Sequence, residues 1–409
     1  MRRLPLYLLL LGLAACVQEP EATDWRLSIQ LPQAELPVGL HLAADGSEAW
    51  LVNGREKVPI PDIRHAGDTW TLHFPTFDNT LVLERKRDAL HGTLTLVKLG
   101  YEQVMEVQGA PNPGFRFPPG EPPGADVTGR WQVEFTDDEG KRTPAVGEFD
   151  QQGSQLTGTF LTPTGDYRFL AGEMRGNVLH LSTFDGAHAF VFMATVQAGG
   201  ELAGDYWSGT RWHETWVARR NYDAKLPDAY SLTYLKKGYT GLEFSFPDLD
   251  GKPVSLGDAK YRGKVVLVNL SGTWCPNCAD EVDFLSRYYR ENHQRGLEII
   301  TLLYEHYGEF DLAARQGRAL VKKYHIAFDV LVAGLSDKAQ ASETLPMLNR
   351  VVAFPTLIFV DRRGQVRRIH TGFNGPGTGE HYEQFKREFR AEMDSLLAEP
   401  ADAAADTGP

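Results

Sequence analysis

Cysteine is scarce in this sequence, which has three among its 409 residues: Cys16, Cys275 and Cys278. So few cysteines exclude a scaffold held together by several disulfides. Basic residues are also in the minority, with 42 Lys and Arg against 54 Asp and Glu and a net charge of −12. This balance argues against a nucleic-acid-binding protein, which needs a basic face. The apolar fraction of 42% excludes a chain that is disordered throughout.

Long apolar runs are also lacking, apart from a ten-residue stretch at positions 4–13. Because a membrane-spanning helix needs about 20 apolar residues, this stretch is too short to be a mature anchor. Two arginines precede it, and Leu13-Ala14-Ala15 lead directly to Cys16. The segment resembles a bacterial lipoprotein signal whose lipobox ends at Cys16. An ordinary signal peptide with a chance cysteine is the alternative.

The lipoprotein resemblance implies cleavage before Cys16, so that residues 1–15 are a signal peptide and 16–24 a tether. It also implies lipidation of the Cys16 thiol, and several acyl chains on one residue would anchor the protein stably in a membrane. Val17 follows the cysteine, which favours the outer over the inner membrane. We therefore expect a bacterial cell-envelope protein that faces the periplasm, where disulfides are permitted.

The region from 25 to 221 is predicted to consist of β-strands. Short runs of alternating apolar and polar residues recur there, as at 70–74, and turn clusters separate them every 8–12 residues or so. Seven of the eight tryptophans lie in this region, as expected of β-rich packing.

This β-rich region contains an internal repeat. Four short matches occur in the same order at nearly constant offsets: Trp25 with Trp131, Pro37 to Gly39 with Pro144 to Gly147, Thr76 to Asp78 with Thr183 to Asp185, and Leu90 to Thr93 with Leu202 to Asp205. We predict two tandem antiparallel all-β modules, small barrels or sandwiches, at 25–108 and 129–221. A single larger two-part sandwich is the alternative.

The connecting segments differ in composition from the modules. Residues 109–124 hold six prolines and four glycines, so 109–128 is predicted to be a semi-rigid linker. A second connector, 222–240, is mixed in character and has room for a helical turn. The Ala- and Asp-rich tail, 398–409, is predicted to be disordered.

From 241 to 397 the pattern changes to alternating strands and helices, which predicts an α/β fold. The expected strands are 265–270, 297–303, 328–332, 356–360 and 365–369. The expected helices are 279–294, 309–325, 338–350 and 380–397.

A C-x-x-C motif follows the first of these buried strands, in the run Trp274-Cys275-Pro276-Asn277-Cys278. The first cysteine would lie at a helix N-terminus, where free N–H groups and the helix dipole favour a thiolate. The second, three residues later, would lie on the same face and could displace a mixed disulfide. Pro276 suits the first helical turn, because the missing N–H costs nothing there.

The C-terminal region resembles the TlpA-type thiol–disulfide oxidoreductases of the thioredoxin-like superfamily, which is related to the AhpC/TSA redoxins. The matching segments are 246–256 (FPDLDGKPVSL), 261–270 (YRGKVVLVNL), 272–278 (GTWCPNC) and 353–356 (AFPT), the last resembling the family's cis-proline loop. Asn277 stands where many members have proline. The fold class is therefore two tandem antiparallel all-β modules followed by an α/β thioredoxin-like domain.

The resemblance implies the following roles. Cys275 is the nucleophile, Cys278 the resolving cysteine and Glu281 the candidate acid/base, although Glu281 could instead only complement the helix dipole. The residues expected to contact substrate are Trp274, Pro276, Phe354, Pro355 (through a cis bond) and Thr356. The expected reaction is protein-disulfide reduction through a mixed disulfide.

Protein disulfides would be the substrates, and a membrane protein of the envelope the electron donor. The lipid membrane would be a further partner through Cys16, and nucleic acid none. No cofactor is expected besides the redox-active Cys275–Cys278 pair, and no metal.

Four other interpretations compete with this one. A structural disulfide over so short a loop would stabilise little. A zinc site needs about four ligands, and only two thiols are available. A thiol peroxidase of the peroxiredoxin type would carry Pro and Thr where this chain has Val268 and Gly272. An envelope binding or assembly lipoprotein, whose β modules bind a partner while the redox domain regulates, stays open.

Overall fold

The computed structural model describes residues 23–400. The expected signal peptide, Cys16 and most of the expected disordered tail lie outside the described residues. The described chain is multidomain, with an N-terminal region that is almost entirely antiparallel β and an α/β domain that begins near residue 241. No helix within 23–400 is long and apolar enough to cross a membrane.

The first sheet of the β region has nine antiparallel strands in the order β4-β3-β2-β1-β9-β8-β7-β6-β5. They are β1 Thr23–Gln30, β2 Glu35–Leu42, β3 Ala49–Asn53, β4 Glu56–Pro59, β5 Asp62–Ala66, β6 Thr69–Phe74, β7 Asn79–Lys86, β8 Ala89–Lys98 and β9 Tyr101–Pro111. Alternation sets the buried face: in β6, Trp70, Leu72 and Phe74 are buried and the residues between them are half-exposed. Since β4 and β5 lie at opposite edges, the sheet is an open half-barrel.

The second sheet closes on itself. Its strands are β10 Gly129–Asp137, β11 Arg142–Gln152, β12 Gln155–Thr162, β13 Gly165–Asp166, β14 Leu170–Arg175, β15 Val178–Phe184, β16 Ala189–Val196, β17 Leu202–Ser208 and β18 Trp212–Arg220. Strand β10 pairs with both β11 and β18, and β11 also pairs with β12. The narrow barrel that results is filled by side chains, among them Phe135, Phe160, Phe192 and Trp216.

The half-barrel is completed by the outer surface of the barrel. Phe184, Ala189 and Val191 of the barrel belong to the same apolar cluster as the buried residues of β1 to β9. The ring of Phe184 meets that of Phe74 edge-on, with 5.8 Å between the centroids. The two sheets therefore share one core at their junction.

The sequence matches noted above fall on particular strands. Trp25 lies in β1 and Trp131 in β10, while Gly92 lies in β8 and Gly204 in β17. Both glycines lie where a neighbouring strand comes close. A Cβ on Gly92 would be 1.8 Å from the carbonyl oxygen of Val82 in β7, and one on Gly204 would be 1.9 Å from the carbonyl oxygen of Met193 in β16.

The connecting segments are more ordered than their composition indicates. Strand β9 continues to Pro111, so the linker expected from 109 begins only after that residue. Arg116 then fixes it, because its side chain donates to the Val52 carbonyl and to Asn53 at 2.9 Å each. The second connector contains no helical turn: it is a series of turns with one β-bridge, between Leu235 and Leu348.

The α/β domain has a five-stranded sheet in the order β23-β22-β21-β24-β25, with the first three strands parallel. Its strands are β19 Ser245–Pro247 and β20 Pro253–Ser255, which form a separate hairpin, then β21 Val265–Ser271, β22 Leu297–Glu305, β23 Asp329–Leu335, β24 Thr356–Val360 and β25 Val366–Thr371. Its helices are α1 Pro276–Asn292, α2 Phe310–Tyr324, α3 Lys338–Thr344 and α4 Glu380–Ala398. This is the thioredoxin-like arrangement that the sequence predicted.

Two helix predictions were wrong in their bounds. Helix α1 begins at Pro276, not at 279, because Cys275 already caps it. Helix α3 ends at Thr344, not at 350. The residues after it bond instead to the second connector, with the Met347 carbonyl accepting from the Lys236 amide at 2.8 Å.

Candidate active site

Cys275 lies at the N-cap of α1, four residues after β21 ends. Its Sγ accepts a hydrogen bond from the Cys278 amide at 3.2 Å, so the helix terminus presents a donor to the sulfur. Pro276 occupies the first helical turn, as expected. The thiol also lies 3.6 Å from the Phe354 carbonyl, to which it can donate. The dipole of α1 and the Cys278 amide would both stabilise negative charge that develops on the Cys275 sulfur.

Cys278 lies behind Cys275 and is fully buried. Burial, together with the nearby Cys275 sulfur, raises the pKa of the Cys278 thiol well above its usual value. Both cysteines are free thiols in this structure. The pair thus combines a sulfur at the edge of a cavity with a protonated thiol behind it, an asymmetry suited to attack by one and resolution by the other.

Glu281 is fully buried one turn of α1 after Cys278. Neither carboxyl oxygen has a hydrogen-bond partner, and burial raises its pKa to about 8. The side chains of Asn269 and Thr301, paired across β21 and β22, are likewise buried without partners. A carboxyl group buried without partners holds its proton near neutral pH.

The loop before β24 faces the cysteines. The Phe354–Pro355 peptide bond is cis. The Phe354 ring contacts Trp274 edge-on at 6.0 Å and Tyr304 at 5.2 Å between centroids. Thr356, expected to contact substrate, is fully buried and donates its hydroxyl to the Ala353 carbonyl at 2.8 Å. Its side chain therefore holds the loop and does not face the cavity.

Trp274 and the residue before it are held by the end of β22. The Trp274 indole donates to the Tyr304 carbonyl at 2.8 Å. Glu305 accepts from the Thr273 amide at 2.9 Å and from its hydroxyl at 2.7 Å. Burial raises the pKa of Glu305 to about 7. Sequence reasoning missed Glu305, although an acidic residue at the carboxyl end of the neighbouring parallel strand was an available signal.

The closed barrel covers one side of the site through the segment 162–168. Asn277, between the cysteines, donates to the Asp166 carbonyl at 3.0 Å. The Asp166 carboxylate accepts from the Gly375 amide at 2.7 Å. Gly165 has a φ of +140°, and a Cβ there would be 2.9 Å from the Asn277 amide nitrogen. The position at which Asn277 departs from the family pattern is therefore a contact with the β region.

Arg168 joins three parts of the molecule. Its guanidinium pairs with Glu56 of the half-barrel at 2.7 Å, with Asp185 of the barrel at 3.0 Å and with Asp280 of α1. Burial alone would lower the pKa of Arg168, but these carboxylates hold it well above its usual value. The cation is therefore permanently charged and ties the cysteine-bearing helix to both sheets.

A cavity of about 200 Å³ lies between the barrel and the cysteines. Cys275 opens onto it with 6% of its surface exposed. The lining residues come from both sides: Thr162, Thr164, Gly165, Asp166, Tyr167, His188 and Phe190 from the barrel, and Trp274, Cys275, Asn277, Lys338, Ala353 and Phe354 from the α/β domain. Aromatic rings form much of this wall, with a lysine among them.

Part of the chain is similar in sequence to known thiol–disulfide oxidoreductases. The AhpC/TSA family model matches residues 238–369. The thiol-disulfide oxidoreductase ResA of Bacillus thuringiensis subsp. konkukian is 30% identical over 145 residues, which are 36% of this chain and 73% of that protein. ResA of Bacillus subtilis is 27% identical over 138 residues, 34% of this chain and 69% of its own length.

Among solved structures, a thiol:disulfide interchange protein of the thioredoxin family from Chlorobium tepidum aligns with 21% identity and a TM-score of 0.31. The alignment covers 40% of this chain and 99% of that one. The family-model match at 238–369 includes the C-x-x-C between the first buried strand and helix α1. The chain is thus an oxidoreductase that belongs to the thioredoxin-like thiol–disulfide oxidoreductases.

Proposed function

We propose that this protein is a lipid-anchored, periplasm-facing enzyme that reduces protein disulfides through the Cys275–Cys278 pair. The observation that carries the proposal is the Cys278 amide directed at the Cys275 sulfur at a helix N-terminus, with Cys278 buried behind it. That arrangement places a helix N-terminus and an N–H donor at the sulfur that opens onto the cavity, and burial keeps the second sulfur as a thiol.

The reaction has two exchange steps. The Cys275 thiolate attacks one sulfur of the substrate disulfide, that S–S bond breaks, and a mixed disulfide forms while the other substrate sulfur leaves as a thiolate. Cys278 then loses its proton, to water or to Glu281 when that carboxyl group is ionised, and attacks the Cys275 sulfur. The mixed disulfide breaks, and the substrate sulfur that was bound to Cys275 leaves as a thiolate. The Cys275–Cys278 pair is then a disulfide, because it has given two electrons to the substrate.

Each turnover therefore leaves an oxidised pair that must be reduced again. The envelope is kept oxidising, so a membrane protein that delivers electrons is the partner this proposal requires. The reductive direction follows from the family resemblance and is the part of the proposal that a potential measurement tests directly.

The envelope location rests on the resemblance of the N-terminus to a lipoprotein signal that ends at Cys16. If Cys16 carries the lipid, Cys16→Ala should leave the protein unlabelled by a palmitate analogue and release it from the membrane fraction. Retention of both label and membrane association in the variant would contradict this location.

We also propose that the half-barrel and the barrel are tandem copies of one β module. Four sequence matches in constant order support this, as does the position of Gly92 and Gly204 on corresponding strands with the same close approach to the neighbouring backbone.

The reduction potential tests the proposed function. Thiol trapping of the full-length protein in defined redox buffers should give a value near ~−270 mV, as for a thioredoxin-type reductant. A value near ~−120 mV would make the protein an oxidant that donates disulfides. A pair that never titrates reversibly would refute the redox function and favour a binding or assembly lipoprotein.

A further inference from the structure

We infer that the barrel segment 162–168 is a wall of the active site that determines which disulfides reach Cys275. The wall admits a disulfide in a flexible, extended polypeptide segment with an apolar side chain next to its cysteine. It excludes a disulfide on the surface of a folded protein. The inference rests on the proposed function, because it names the substrate class of that same site.

The barrel takes up docking area beside Cys275. A stable contact between two folded proteins buries roughly 800 Å² on each partner. One side of the surface around Cys275 is already covered, because Asn277 bonds to Asp166 and the Gly375 amide bonds to the Asp166 carboxylate. A rigid protein surface therefore cannot dock on this side of the sulfur.

Segment 162–168 fits closely against the α/β domain. A Cβ on Gly377 would be 2.8 Å from the backbone carbon of Arg168, and one on Gly372 would be 3.0 Å from that of Thr164. The two glycines thus let the backbone of the α/β domain pack directly against the backbone of segment 162–168. Arg168 then fixes the segment through its pairing with Asp280 on the cysteine-bearing helix. The contact is a close-packed and ion-paired interface, unlike a loose lid.

Little space is left between segment 162–168 and Cys275. The cavity of about 200 Å³ is smaller than the ~300–1,000 Å³ typical of sites for drug-sized molecules. Asp166 and Lys338 contribute one charged side chain of each sign to its lining, and four aromatic rings supply the apolar surface: Tyr167, Phe190, Trp274 and Phe354. An apolar or aromatic side chain would pack against these rings. One cysteine and one neighbouring side chain are about what this space can hold.

The test is the rate at which the reduced full-length protein reduces four disulfides in single-turnover experiments. Bis(2-hydroxyethyl) disulfide reports the chemistry alone. Two linear nine-residue peptides, each with one cysteine in a mixed disulfide with 2-mercaptoethanol, differ only in Phe or Asp next to the cysteine. A folded domain with one solvent-exposed disulfide completes the set. The Phe peptide should react about tenfold faster than the Asp peptide and than the folded domain.

Two variants test whether segment 162–168 causes this selectivity. Arg168→Ala removes the cation that fixes the segment, and Asp280→Asn is a milder change should the first variant fail to fold. Each should raise the rate on the folded domain severalfold relative to that on bis(2-hydroxyethyl) disulfide. Arg287→Ala is the matched control, since this exposed arginine pairs only along α1, with Asp283, and should leave the ratio unchanged.

Each contrary result has its own meaning. Equal rates on the folded domain and the Phe peptide in the parent protein would overturn the inference, as would an unchanged ratio in both variants. In those cases the reaction with bis(2-hydroxyethyl) disulfide would still support the proposed function. Failure to reduce any of the four disulfides would overturn both.

Discussion

Two buried acids, one in the C-terminal domain and one in the N-terminal β region, have opposite surroundings. Near the cysteines, Glu281 is buried without any partner, and its pKa is raised to about 8. In the barrel, Asp185 is equally buried, yet it pairs with Arg168 and accepts from the His188 amide at 2.8 Å. Burial would raise the pKa of Asp185, but His188 and Arg168 hold it well below its usual value.

The two acids differ in what their surroundings allow them to do. A solitary buried acid costs stability and is able to move a proton near neutral pH, which suits a reaction site. A fully paired buried acid stays ionised and holds neighbouring elements in register. A buried acid thus lies close to the reactive cysteines in one region, as Glu281, and stabilises a junction between the sheets in the other, as Asp185.

The largest expected effect breaks the reactive side alone. Cys275→Ser should abolish disulfide exchange, since no other described sulfur opens onto the cavity, whereas Cys278→Ser should accumulate mixed disulfides with substrate. Thiol trapping and mass spectrometry measure both. The unfolding transition should stay close to that of the parent protein. An active Cys275→Ser variant would refute the mechanism.

The next effect breaks the structural side. Asp185→Asn leaves Arg168 without one of its buried anions, so we expect a loss of about 3 kcal/mol in the free energy of unfolding. Urea denaturation monitored by tryptophan fluorescence measures it. The reaction of the reduced protein with bis(2-hydroxyethyl) disulfide should change little. A free energy of unfolding equal to that of the parent would show that Asp185 does not stabilise the junction around Arg168.

Glu281→Gln should have the opposite sign and depend on pH. Because the folded protein holds the Glu281 proton up to about pH 8 while the unfolded chain releases it near its ordinary value, the parent loses stability as pH rises between them. From pH 5 to 8 the parent should lose at most about 4 kcal/mol relative to the variant. Denaturation at both pH values measures the difference, and parallel pH profiles would contradict a buried, protonated Glu281.

The smallest effect is expected at an exposed pair. Arg287 and Asp283 bond along α1, with the arginine more than half exposed. Arg287→Ala should change the free energy of unfolding by no more than about 0.5 kcal/mol. The same denaturation assay measures it, preferably at two salt concentrations. A loss above 1 kcal/mol or so would mean that exposed pairs contribute more here than their class does.

The sequence predicted the thioredoxin-like domain well because its signals are local. The apolar run at 265–270 and the C-x-x-C after it specify a buried strand and a helix N-terminus within a few residues. The end of α3 could not be predicted in this way. It depends on Met347 bonding to Lys236, a partner more than a hundred residues away along the chain.

The candidate site was predictable only in part, for the same reason. Cys275, Cys278 and Glu281 lie within one motif, and the structure brings them together at the start of α1. Asp166 and Arg168 lie about 110 residues earlier, in a segment without any recognisable motif. The only trace in the sequence was Asn277, a polar residue where many relatives of this type have proline, and its partner could be identified only from the fold.

The open half-barrel sets an order of events during biosynthesis. Residues 23–111 leave the ribosome before the second sheet, yet their apolar cluster includes Phe184, Ala189 and Val191 of that sheet. Until those residues emerge, the first sheet exposes an apolar surface that invites aggregation or chaperone binding. The first sheet is therefore made before the residues that complete its core, so its folding depends on the part of the chain that follows it.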